Sequence, residues 1–167
     1  MNAGRTVVLE LTRMEAAHLA GLVTQFAELL EDAESTAGDP AIARLVPDAY
    51  ADDAEASTEF RDMTERDLLD RRRQDAGEVL SSLSEPATLP DDAEPGDEVL
   101  MELVELRLEP DALRAWLRCL AAIRLVLATR LGIRSEEDHD LDDPRFGIYE
   151  WLGYRLDGLV QAASEDD

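Results

Sequence analysis

Two histidines, one cysteine and sixteen arginines are the residues of this 167-residue chain whose side chains offer chemistry beyond filling space. His18 sits on the flank of an apolar helical pattern, with no serine, cysteine or second histidine nearby, so it reads as structural rather than as half of a catalytic pair. His139 lies in EEDHDLDD, among Glu136, Glu137, Asp138, Asp140, Asp142 and Asp143. That stretch lacks the alternating oxygen ligands, central glycine and terminal glutamate of an EF-hand loop; it reads as a solvated acidic loop, with a weak cation site as the alternative. Cys119 is the lone cysteine, which excludes an intramolecular disulfide and any multi-cysteine metal centre. Next to Arg118 its thiol is either inert packing or, if partly exposed, an oxidant-accessible redox group.

All 16 basic residues are Arg, so chemistry that needs a lysine amine, such as the P-loop phosphate lysine or a Schiff base, is excluded. With 39 carboxylates, paired acids for general acid-base work discriminate nothing, and the chain shows no G-x-S-x-G, H-E-x-x-H or glycine-rich phosphate loop. The expectation is a protein that is not an enzyme and holds no cofactor or metal.

The balance of 16 basic against 39 acidic side chains gives a formal charge of −23. Such a chain repels phosphate backbones and anionic lipid heads, so direct nucleic-acid binding is expected to be weak and a cationic protein is the favoured partner. Arg71, Arg72 and Arg73 form a basic run, yet residues 61–78 hold five Arg against six acids. Residues 111–134 hold five Arg against one acid. There Leu113, Trp116, Leu117, Leu120, Ile123, Leu127 and Leu131 share one helical arc, Arg114 and Arg118 point away from it, and Arg124 falls inside it. An arginine in a core needs a partner, so Arg124 is expected to pair with a buried carboxylate. Arg114 and Arg118 either balance acidic neighbours or belong to a partner-binding patch.

The elements that position these groups are legible from periodicity. Thr6 to Leu11 alternates like a strand, and Thr12 with Glu15 forms a capping box for a helix over 13–31. Asp39-Pro40 starts a short helix ending before Pro47. Asp52 or Asp53 caps a helix to about Asp62, and Thr64 with Asp67 caps a second to about Leu83, whose narrow apolar stripe places it on the surface. Residues 84–98 hold three prolines and six acids and read as an extended, disordered linker loop. A strand near 104–108, a long helix from Pro110 and a last helix from Asp143-Pro144 complete the chain, the last striped by Ile148, Trp151, Leu152, Leu156, Leu159 and Val160. The fold class expected is mainly α, a single-domain bundle of about five to six helices with a small two-stranded antiparallel β ribbon. No apolar run approaches the roughly 20 residues of a membrane span, and the start lacks a secretory signal, so a cytoplasmic location is expected. The apolar last helix, with Tyr149, Trp151 and Tyr154, suggests a homodimer.

Three segments, PDAYADDAEASTEFRDMTERDL, AWLRCLAAIRLVLATRLGI and IYEWLGYRLDGLV, together resemble an actinobacterial family of unassigned function, domain of unknown function two thousand and seventeen. Within it the chain is similar to the AosR-like group of oxidative-stress transcription regulators, and family genes often neighbour the gene for the ClpS adaptor. The resemblance implies a transcription-associated regulator acting by protein–protein interaction, with a sigma factor or polymerase as partner, or alternatively an adaptor for Clp proteolysis. It also implies a docking surface around Tyr50, Glu59, Phe60 and Arg61, with the reading that Tyr50 and Phe60 are core left open. The group's redox response works through cysteine pairing. Here Cys119 has only an intermolecular bridge, a sulfenic acid or a small-thiol adduct open to it.

Overall fold

The computed structural model describes residues 4–32, 40–45, 54–133 and 146–164, with side chains described there except at 43, 44 and 54–64. Its architecture is mainly helical: β1 (Val7–Thr12), α1 (Arg13–Glu31), α2 (Pro40–Leu45), α3 (Ala54–Leu83), β2 (Leu103–Leu108), α4 (Pro110–Leu131) and α5 (Gly147–Ser164), with a 3-10 turn at Glu98–Met101 before β2.

The strands pair antiparallel, Val7 opposite Leu108, Leu9 opposite Leu106 and Leu11 opposite Val104. Because side chains alternate, these residues turn one face to the helices, while Val8, Glu10, Glu105 and Arg107 face outward. The ribbon persists because its inner face joins the helical core.

Thr12 ends the strand and begins the helix: its Oγ1 accepts from the Glu15 backbone N–H at 3.1 Å. The reciprocal half of the capping box is replaced, since the Glu15 carboxylate accepts from Arg155 of α5. Ala16, Leu19, Val23, Phe26 and Leu30 then bury one stripe of α1.

The two helices expected over 52–83 are one continuous helix, α3. Thr64 and Asp67 are competent caps, but no Gly or Pro lies between residues 54 and 76, where the break was expected, and extending a formed helix is easier than nucleating a second. Its narrow stripe of Leu69, Ala76, Val79 and Leu83 is buried against α1 and α4.

Residues 84–97 run through consecutive turns, with Ala87 N–H on the Leu83 carbonyl (2.8 Å) and Ala93 N–H on that of Pro90 (3.0 Å). Proline excludes helix and strand there, but turns, rather than an extended path, satisfy the backbone. Arg13 holds the segment, donating to the Glu85 and Pro86 carbonyls at 3.4 Å each and pairing with Glu102.

α4 is the central helix. Pro110 opens it and Gly132 closes it at φ +74°, where Ile133 N–H reaches the Ala128 carbonyl at 2.8 Å. The expected arc is buried at Leu113, Trp116, Leu120 and Ile123, but a second face of Ala115, Cys119, Ala122 and Val126 is buried too, because α2, α3 and α5 pack around α4. On α5, Leu152 and Leu159 are buried; Ile148 and Val160, expected in the same stripe, are exposed. Among the described residues no helix is long and apolar enough to cross a membrane.

Candidate functional site

A mainly apolar concavity lies between α1 and α5. Ala17 and Gly21, one turn apart on α1, are too small to fill the space before α5, and a trough of about 550 Å³ opens above them. Leu22 and Trp151 are half-buried in its wall, and Ile148 stands 47% exposed at one end. Glu15, His18 and Gln25 supply the polar groups. His18 is an exposed residue at the edge of the groove. Across the Glu15–Arg155 pair, β1 and α5 enclose a smaller cleft of about 290 Å³ beside Val8 and Tyr154. Arg155 also donates to the outward Glu10 carbonyl at 3.4 Å, tying α5 to the free side of β1.

The second locus is the α3–α4 seam. Arg118 on α4 reaches Asp75 on α3 with two bonds, Nε to Oδ2 at 3.0 Å and Nη2 to Oδ1 at 2.8 Å. The Asp75 side chain is 9% exposed and that of Arg118 53%, so the carboxylate is the buried member of this fork. A notch of about 360 Å³ opens beside it, lined by Leu68, Arg71, Arg72, Gln74, Asp75 and Arg118. Cys119 lies buried close by. Desolvation pushes its thiol up to about 12, the Asp75 charge adds to this, and Arg72 opposes it. The oxidant-accessible reading of Cys119 is thereby corrected: the sulfur is buried and stays protonated, the inert condition for a thiol.

Arg114 pairs with Asp111 one turn earlier on its own helix, both exposed, so it balances a neighbour. Arg118 spans two helices. Arg124 departs from expectation: among the described residues it has no carboxylate, and its guanidinium lies over the Tyr149 ring, 4.1 Å from the centroid, with Nε donating to the Tyr149 carbonyl at 3.5 Å. Gly153 makes room, since a Cβ there would stand 2.8 Å from Arg124 Nη2. Periodicity placed Arg124 inside the buried arc and assigned it a carboxylate; the side chain is half-buried and its partner is a ring.

Tyr50 and the His139 cluster lie outside the described residues, and Glu59, Phe60 and Arg61 are described only as backbone within α3. Among the described residues no group of three or more His, Cys, Asp or Glu is placed to hold a metal ion. Sequence reasoning missed the α1–α5 groove, whose only advance signal was the A-x-x-x-G spacing of Ala17 and Gly21. Tyr154, 71% exposed, stands apart from Ile148 and Val160 around α5, so the exposed apolar residues of that helix do not form one stripe.

A family model described as Domain of unknown function (DUF2017) matches residues 1–163. Comparison with curated proteins and with solved structures finds no match.

Proposed function

The chain belongs to this DUF2017 family, and from that premise we propose that it is a transcription-associated regulator that works by holding a basic protein segment, such as a surface of a sigma factor or polymerase, in the α1–α5 groove. The groove is the observation that carries the reading. An apolar trough of about 550 Å³ between two helices suits the apolar face of an incoming helix. The partner's charge follows from the −23 of this chain, which steers cationic surfaces toward it and duplex DNA away. A role in the oxidative-stress response rests on the family resemblance alone, and buried Cys119 lends it no support in this state.

Two substitutions block the groove without touching the core. Gly21→Trp fills it, because a Cβ at Gly21 meets nothing within 4 Å, and Ile148→Asp puts charge on a residue already exposed. Affinity capture with purified sigma factor and core polymerase is expected to succeed with the native chain and to fall at least about tenfold with either variant. Undiminished capture by both variants refutes the groove as the docking site. Capture of ClpS or a Clp ATPase in place of transcription proteins replaces the regulator with the proteolysis adaptor. If capture falls only when Glu59 and Arg61 are replaced together, docking belongs to α3.

A further inference from the structure

We propose that the notch between α3 and α4 binds a phosphoryl group, with Arg71 and Arg72 as its ligands and Arg118 as the wall that closes the site. Five arginines described in detail have an acid: Arg13 has Glu102, Arg73 has Asp70, Arg114 has Asp111, Arg118 has Asp75 and Arg155 has Glu15. Arg71 and Arg72 have none among the described residues, although the chain carries 39 acids to its 16 arginines. Asp75, three and four residues on, is the natural helical partner of both, and Arg118 has taken both of its oxygens. Arg72 Nε is moreover buried without an acceptor, which leaves a donor desolvated at a cost that a ligand oxygen would recover.

Charge selects the ligand. Arg71, Arg72 and Arg118 against Asp75 leave a local balance of 3 − 1 = +2 around the notch, inside a molecule of −23. A carboxylate brings one negative charge, whereas a phosphate monoester brings about −1.5 to −2 at neutral pH and three acceptor oxygens. Planar guanidinium forks match such oxygens two at a time, so the absence of lysine is no obstacle. Gln74 adds a neutral amide and Leu68 an apolar wall, and about 360 Å³ accommodates the phosphoryl group with a small attached residue. The proposal is independent of the α1–α5 groove, which lies on other helices.

The test is calorimetric titration of the full-length protein, at low ionic strength, with inorganic phosphate, with O-phosphoserine and with acetate. Saturable binding of phosphate or phosphoserine is expected, weakened about tenfold or more by Arg71→Gln and by Arg72→Gln. Arg73→Gln is expected to leave it unchanged, since that guanidinium is occupied by Asp70. Equal binding of both phosphorylated probes identifies a site for free phosphate; binding of phosphoserine alone identifies a phosphoryl group carried on a larger residue that also touches the notch wall. Arg71 is exposed, so its variant keeps the fold even if Arg72→Gln disturbs α3. No saturable heat with either phosphorylated probe, acetate binding as tightly as phosphate, or affinity unchanged in Arg71→Gln overturns the assignment.

Discussion

The two seams that α4 makes, with α3 on one side and α5 on the other, each receive an arginine from α4 and settle it differently. Toward α3, Arg118 forks onto Asp75; toward α5, Arg124 lies on the face of Tyr149. In the first seam the buried charge is the acid, and the arginine, half in water, neutralises it. In the second, a quadrupole, a backbone carbonyl and the missing side chain of Gly153 hold a guanidinium with no acid among the described residues. Even in a chain rich in carboxylates, one α4 arginine takes a carboxylate as its partner and the other an aromatic ring.

The largest difference between the seams is expected at alkaline pH, because only the α3 side buries a thiol. Cys119 is held up to about 12 against an ordinary 9.0. Below pH 9 the thiol is neutral in both folded and unfolded chains and its contribution is complete. As pH rises the unfolded thiol ionises first, so stability is lost between about pH 9 and 12, at up to about 1.4 kcal/mol per pH unit. Urea unfolding of Cys119→Ala beside the native chain across that range measures it. Parallel curves would mean that the sulfur reaches water.

Next in size is an asymmetry within the fork. Arg118→Ala strands the Asp75 carboxylate in a nearly dry place and is expected to cost about 2–3 kcal/mol. Asp75→Ala frees a guanidinium that is already 53% exposed and rehydrates easily, so it is expected to cost less, about 1 kcal/mol. Denaturant midpoints at constant m decide, and equal losses would contradict a buried acid served by an exposed base.

The smallest effect belongs to the α5 seam. Gly153→Ala improves helix propensity by about 1 kcal/mol but pushes Arg124 off Tyr149, so alone it is expected to be nearly neutral. In an Arg124→Ala background the new methyl meets no guanidinium and the gain is realised. A double-mutant cycle is expected to show about 1 kcal/mol of coupling. Additivity would separate the glycine from the stack.

Much of this architecture was readable in advance because it rests on local periodicity. Alternation over Val7 to Leu11 and over Val104 to Leu108 marks the ribbon, and Thr12 marks the turn into α1. The continuity of α3 was not readable, because Thr64 satisfies a capping rule that applies only when the preceding residues are non-helical. On α4, a stripe weighted by large side chains overlooked Ala115, Ala122 and Val126, whose burial depends on how many helices surround them. The sites were less legible than the elements. Summing charges along 61–78 gave a near balance, yet in space Asp70 turns to Arg73 and Asp75 to Arg118, leaving Arg71 and Arg72 without either. The groove needed Ala17 and Gly21 to meet Ile148 and Trp151, more than a hundred residues away.

On the outward side of the ribbon Glu10 stands directly across from Glu105, a like-charged pairing that weakens the ribbon slightly. Its benefit shows in crowded solution. A neighbour trying to stack or zip onto this sheet would bring its own two acidic side chains against these two, so the ribbon resists fibril growth.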